Sequence, residues 1–523
     1  MTHRKIFSGA PAVHHQASRR LFMRQASALS LAAGAGAPLA LNLLAAGSAA
    51  AQSAGDYRAI VCLFMFGGND AYNMVLPTDS PSWAAYTAMR TSIALLSPGT
   101  PPNPGAGAGS AARLGGVRPI APINPQGRTY ALHPLMTRMQ SMFDTDRRLA
   151  IVPNIGPLVA PTTKAQYNTP AHPRPPRLFS HNDQQSIWQT MMPEGATQGW
   201  GGRLADMVAG GNTRAVFTSI SAAGSAVWLS GQNVRQYQVS GSGALRMGAD
   251  TSNLVYGSTT VANALASIAR SSMGSHVLEA DVAAIADRSI ASESILRGAL
   301  RPASDPAFGT PPAGAGSYNP SADAKLQYLS PANGSLVFSP LAQQLQMVAR
   351  LVQAGVSGAT GVRRQVFFVS LGGFDTHSNQ NPQHTELMAR VAHAMEYFDT
   401  ALGAINARNN VTTFTASDFG RTFTSNGDGT DHGWGSHQFV MGGAVRGGDL
   451  YGNFPRLVTR NSGTGEFDSP DQVRNGALLP TTSVDQLGAT LGRWFGLSDS
   501  QALEVFPNLA NFNTGARNLG FMT

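Results

Sequence analysis

Four stretches of the chain are apolar at successive positions over a strand's length: residues 58–66, 148–153, 365–371 and 411–416. A run without alternation is buried on both faces, which is the pattern of strands inside a parallel sheet. Between them lie segments with helical spacing of apolar residues, at 134–146, 184–191, 201–208, 341–354, 385–407 and 485–495, the last followed by Gly496 in a C-cap position. Strands alternating with helices predict an α/β fold built on one large, mostly parallel sheet flanked by helices. Residues 97–126 and 302–320 are rich in Pro and Gly and read as surface loops. Residues 211–335 are rich in Gly, Ser, Ala and Asn, with helices expected near 261–271 and 279–297; this region reads as an insertion or cap over the sheet.

The first 51 residues follow a different logic. Ser18-Arg19-Arg20-Leu21-Phe22-Met23-Arg24 precedes an apolar, Ala/Gly/Leu-rich stretch from Ala26 to about Ala46, which ends at Ala49-Ala50-Ala51. A basic segment, an apolar segment and a small-residue cleavage site, with paired arginines, form a twin-arginine export signal cut before Gln52. The expectation is a domain of residues 52–523 released into the periplasm or medium. The twin-arginine translocase is its partner during export, and no stable membrane anchor survives cleavage.

Export changes the charge argument. Five of the 37 Lys and Arg residues lie in residues 1–51, which hold no acid; the remainder carries 32 bases against 29 acids, near +3 rather than the +8 of the full chain. That balance gives no reason to expect nucleic acid as a partner. The single cysteine, Cys62, sits inside an apolar run and reads as a small buried hydrophobe.

Ligands of open α/β sheets collect at the carboxyl ends of the strands. Polar groups follow three of the expected strands: Asn69 and Asp70, then Asp375 and His377, then Asp418 and Arg421, with Asp431, His432 and His437 shortly after. Neighbouring strands lie about 4.8 Å apart, so these groups can converge on one or two divalent ions. With no second thiol available, an Asp/His set suits Zn²⁺ or Mn²⁺, and Mg²⁺ and Ca²⁺ fall within the same donor chemistry. Each piece has a plain structural reading as well: a turn at 67–70, a salt bridge between Asp418 and Arg421, a helix cap at Asp431-His432. Ser180 opens an expected helix, where it can serve as N-cap or as a nucleophile beside anion-stabilising amides.

The ordered motifs Gly-Gly-Asn-Asp (67–70), Leu-His-Pro (132–134), Ser-His (180–181), Gly-Trp-Gly-Gly-Arg (199–203), Gly-Gly-Phe-Asp-Thr-His (372–377), Ser-Asp-Phe-Gly-Arg-Thr (417–422), Thr-Asp-His-Gly-Trp-Gly (430–435), Gly-Gly-Ala-Val-Arg-Gly-Gly (442–448) and Leu-Pro-Thr-Thr-Ser-Val-Asp-Gln (479–486) resemble the twin-arginine-exported domain of unknown function family 1501. That family is similar to the alkaline phosphatase and sulfatase superfamily. The resemblance implies an alkaline phosphatase-like domain with two metals, hydrolysing phosphate or sulfate esters of a small molecule or polymer. It implies Asp70 as a first-strand metal ligand, Asp375 and His377 on one ion, and Asp418 on the other with His432 or His437; Ser180 takes the nucleophile's place, and Arg421 joins it as a catalytic candidate. Many superfamily members have His after the late-strand Asp, where this chain has Phe419. The competing expectation is a non-catalytic periplasmic binding or assembly protein on the same fold.

Overall fold

The computed structural model describes residues 57–241, 243–244, 254–271, 276–314 and 316–523. The export signal and its cleavage site lie outside them. The strands of the main sheet are β1 (Arg58–Met65), β2 (Leu149–Gly156), β3 (Ser219–Ser221), β4 (Tyr237–Ser240), β6 (Arg364–Leu371), β7 (Val411–Ser417), β10 (Ser436–Gly442) and β11 (Thr482–Ser483), with the two-residue β5 (Gly243–Ala244) hairpinned onto β4. A small hairpin outside the sheet is formed by β8 (Arg421–Ser425) and β9 (Thr430–His432). Across the sheet the order is β11-β2-β10-β7-β1-β6-β3-β4-β5. Pairing is parallel except where β10 runs antiparallel between β2 and β7 and where β5 turns back on β4.

All four expected strands are present with ends within three residues of the sequence reading. Alternate residues of β1 feed two separate cores. Ala59, Val61, Leu63 and Met65 face one, and Ile60, Cys62 and Phe64 the other. The first core is closed by α6 (Pro340–Val356) and α7 (Gln380–Ala404), the second by α3 (Trp200–Val208) and α8 (Val484–Phe495). Three-layer burial of this kind explains the continuous apolar strand sequences. Cys62 is fully buried, and burial pushes its thiol well above the ordinary value.

One boundary differs from the sequence reading. The Gly/Ser-rich region is not wholly an insertion, because β3 and β4 extend the parallel sheet beyond β6. They are three and four residues long, too short for their periodicity to stand out from the surrounding loop composition. Two helices follow, α4 (Thr259–Arg270) and α5 (Val277–Ala299), linked by an Arg270–Asp287 ion pair at 3.0 Å; Leu296 of α5 enters the main core. The described residues fall in one compact unit, Ala54–Thr523. Among them no helix is long and apolar enough to cross a membrane.

Register positions the chemistry. Met65 of β1 stands opposite Leu371 of β6 on one side and Ser417 of β7 on the other. Three adjacent parallel strands therefore end at the same level, and the segments after them, 66–70, 372–377 and 418–421, emerge side by side.

Candidate metal centre

Backbone geometry and one arginine lock these three strand ends together. Gly67 has φ +115°, and a Cβ there would lie 2.5 Å from the main-chain nitrogen of Asp375, so only glycine allows the two segments this close. Gly67 donates its N–H to Asp418 Oδ1 at 3.1 Å. Arg421, wholly buried, donates Nε to the Gly68 carbonyl (2.8 Å) and Nη2 to the Phe374 carbonyl (3.0 Å) and Asp375 Oδ1 (2.5 Å); Nη1 reaches the Thr430 carbonyl (3.2 Å). The planar guanidinium thus joins all three strand ends to the β8–β9 hairpin.

A fourth element completes the site. Helix α2 (His181–Thr190) begins beside β7, and His181 Nδ1 lies 2.7 Å from Asp418 Oδ2. The Asp418 carboxylate also accepts from Gln185 Nε2 at 2.7 Å. His432, at the end of β9, donates Nδ1–H to the Phe179 carbonyl at 2.7 Å. Because a carbonyl can only accept, that bond fixes the tautomer and leaves His432 Nε2 unprotonated, an acceptor facing His377 Nε2. His181 is oriented in the same sense, and its Nε2 is buried with no hydrogen-bond partner. Imidazoles held through one nitrogen by a carboxylate or carbonyl, with the other nitrogen aimed inward, are the usual arrangement of metal-ligating histidines.

The inward atoms converge. His181 Nε2 is 3.4 Å, His377 Nε2 3.1 Å and His432 Nε2 3.5 Å from the same oxygen, Asp375 Oδ1, and the two nitrogens of His377 and His432 are 2.9 Å apart. Ligand atoms of His181, Asp375 and His432 all lie within 4.8 Å of one another. N/O ligands at roughly 2.0–2.1 Å in a tetrahedron stand about 3.3 Å apart, close to the 3.4 and 3.5 Å that separate His181 and His432 from Asp375 Oδ1.

The site's titratable groups shift in different directions. The hydrogen bond His181 donates to Asp418 raises its pKa above the ordinary imidazole value, against a smaller opposing effect of burial. Burial lowers that of His432. Burial pushes the Asp375 carboxyl up, but Arg421 and the neighbouring imidazoles together outweigh it and hold the group below the usual range.

The other residues named from sequence sit elsewhere. Asp70 does not enter the cluster. It is buried in an ion pair with Arg90, at the end of α1 (Ser80–Arg90), and accepts from Gln380 Nε2 at 2.5 Å. Asp418 stands behind His181 rather than among the inward donors. Asp431 lies 3.5 Å from the outer nitrogen of His377 and is half exposed. His437 is buried on β10, accepting the Asn154 N–H at 3.0 Å and packing on Phe454, and burial lowers its pKa to about 3. Ser180 is the N-cap residue of α2 but makes no capping bond; its hydroxyl donates to Asp183 Oδ2 at 2.8 Å. His181 and Gln185 were not assigned roles from sequence, although His181 belongs to the Ser-His motif. Its placement depends on α2 crossing to β7, a contact between residues more than 230 positions apart that no local pattern encodes.

Backbone strain marks the same neighbourhood. Arg177 and Phe179 have φ of +48° and +74°. A bulky residue in that region costs on the order of 1–3 kcal/mol and persists where surrounding structure imposes it. Here it aims the Phe179 carbonyl at His432.

No curated protein matches this chain. A solved structure described as "Metabolism of multiple glycosaminoglycans by Bacteroides thetaiotaomicron is orchestrated by a versatile core genetic locus" is similar over 36% of this chain and 42% of that one, at 13% identity and a TM-score of 0.20. A likeness that slight carries no argument about activity. Residues 57–506 match the family described as Protein of unknown function (DUF1501), and the chain belongs to that family.

Proposed function

We propose that the chain is an exported, metal-dependent hydrolase of phosphate or sulfate esters, on an alkaline phosphatase-like arrangement of strands, acting in the periplasm or medium. The observation that carries the metal reading is the convergence of His181 Nε2, His377 Nε2 and His432 Nε2 around Asp375 Oδ1, each within 3.5 Å of it. His181, Asp375 and His432 would hold one ion, with His377 beside them, and Zn²⁺ or Mn²⁺ suits the donor set. Bound there, it would supply Lewis-acid polarisation of a phosphoryl or sulfuryl oxygen. The chain's own groups do the rest. Asp418 and the Phe179 carbonyl hold two imidazoles in their ligating tautomers, and Arg421 anchors Asp375. Ser180, adjoining His181, offers a hydroxyl whose proton is already directed at Asp183.

Asp375 Oδ1 is also the atom that Arg421 occupies, which neutralises part of its charge without any ion. That ion pair favours the second reading, a non-catalytic binding or assembly protein on the same fold. Elemental mass spectrometry of residues 52–523, purified without chelator beside His181→Ala, Asp375→Ala and His432→Ala, separates the two. The hydrolase reading requires about one equivalent of Zn²⁺ or Mn²⁺ in the wild type, lost in all three variants, together with turnover of an aryl phosphate or aryl sulfate. A metal-free protein that stays inactive after soaking with divalent ions ends it.

A further inference from the structure

Beside the centre opens a cleft of about 440 Å³ whose chemistry is one-sided. Arg174, Arg177, Arg474 and His172 line it with Tyr167 and Phe179, and no acidic side chain does. Arg474 stacks over the Phe179 ring at 4.4 Å, and Arg174 over the Tyr167 ring at 5.4 Å. Their hydrogen bonds go to neutral acceptors: Arg174 to the Tyr167 carbonyl (2.7 Å) and Arg474 to the Tyr167 hydroxyl (3.1 Å). Neither has a carboxylate partner among the described residues. Arg177 is 72% exposed and stands 3.6 Å from Asp183 Oδ1. A second cleft of about 390 Å³ shares Tyr167, Arg174 and Arg474 and adds Lys164 and Glu466, so basic groups outnumber acids along the whole furrow.

Stacked guanidinium groups with free edges are preorganised to grip a planar or tetrahedral oxyanion in bidentate fashion. Eleven non-glycine residues have positive φ among the described residues, and three of them, Arg177, Phe179 and Arg474 (φ +47°), line this one cleft. Strained backbone concentrates where a ligand-facing geometry must be held. The strand of chain from Arg174 to His181 also ties the cleft to the centre, since Phe179 puts its ring into the cleft and its carbonyl on His432.

We infer that this cleft is an anion-binding subsite, distinct from the metal centre, that takes a carboxylate, sulfate or phosphate group of a ligand, with aromatic faces to carry the body that bears it. The inference does not depend on the metal reading. Isothermal titration of the chain of residues 52–523 with citrate, inorganic sulfate and inorganic phosphate tests it, at low and high salt. Wild type and Asp375→Ala should bind at least one of the three at a single site, weakened by salt. The Arg174→Gln/Arg474→Gln protein should bind it about tenfold or more weakly. Arg177→Gln, a change at an exposed side chain whose only ion-pair contact among the described residues is with Asp183 at 3.6 Å, should show a smaller loss in the same direction, which guards against misfolding of the double variant. The preferred anion identifies the source group. Equal binding by wild type and both arginine variants, or no binding of any probe, overturns the inference. Binding abolished by Asp375→Ala but kept by the double variant would place the anion at the metal centre, refuting this subsite while leaving the metal reading intact.

Discussion

The carboxylate behind His181 offers the most direct test of how the site is built. Asp418 is fully buried and accepts three hydrogen bonds, from His181 Nδ1 and Gln185 Nε2 on one oxygen and from the Gly67 N–H on the other. Asp418→Asn keeps the shape but converts one of those oxygens into a donor, so at least one N–H must face another N–H. It also removes the largest influence raising the His181 pKa, which should fall toward or below the ordinary imidazole value. Partners of this kind typically contribute 10- to 100-fold to metal affinity, equivalent to about 1.4–2.7 kcal/mol. Zinc affinity, measured by competition with a chromophoric chelator, should drop by about that factor, and the His181 ring titration, followed by NMR, should move to lower pH. A variant that folds normally, with zinc affinity within about twofold of wild type and an unmoved His181 titration, would show that Asp418 does not organise this imidazole.

Asp70→Ala leaves Arg90 buried without its counter-charge and should cost about 3–5 kcal/mol in urea unfolding, while the metal content of the folded protein stays unchanged. Gly67→Ala forces a Cβ to 2.5 Å from the Asp375 main chain at φ +115°; it should lower stability and metal content together, since the contact is with backbone that cannot swing aside. His437 and His384 are buried with pKa values lowered by desolvation to about 3. The unfolded chain takes up protons near pH 6.5 that the folded chain refuses, so stability is full above that value and is lost as pH falls towards 3. Between pH 7 and 5 each contributes a loss of about 2 kcal/mol; His437→Gln should remove about that much of the pH dependence in urea titrations at the two pH values.

The sheet was legible in sequence because burial on both faces removes polar positions from β1, β2, β6 and β7, and that leaves an unambiguous mark. The short edge strands β3 and β4 leave none. The strand-end acids were legible as a set, because the glycines and acids that follow each strand recur. Their separate fates were not. Asp70 and Asp375 occupy equivalent places after adjacent strands, yet one is buried against Arg90 and the other is half exposed beside three imidazoles. Which acid meets the arginine at the end of α1 and which faces the site depends on tertiary contacts. His181 was hidden for the same reason: its role comes from a carboxylate more than 200 residues later.

On the proposed metal reading, these placements would make metal uptake and protonation a single linked event. The charges acting on His181 are the Asp418 and Asp375 carboxylates and the Arg421 guanidinium, which leaves one negative charge beside it to balance. The raised pKa of His181 lets an imidazolium supply that balance when no ion is present, with Nδ1–H on Asp418 and Nε2–H directed towards Asp375. A divalent ion needs the Nε2 lone pair, so it must displace that proton. Near neutral pH, binding should release up to about one proton per ion, and affinity should rise with pH until His181 is neutral in the free protein, then level off. Zinc titrations by calorimetry in two buffers of different ionisation enthalpy measure the released proton directly, and Asp418→Asn should reduce it. Binding enthalpies that do not depend on the buffer would mean His181 is already neutral in the free protein, and the account of charge at this site would fall with it.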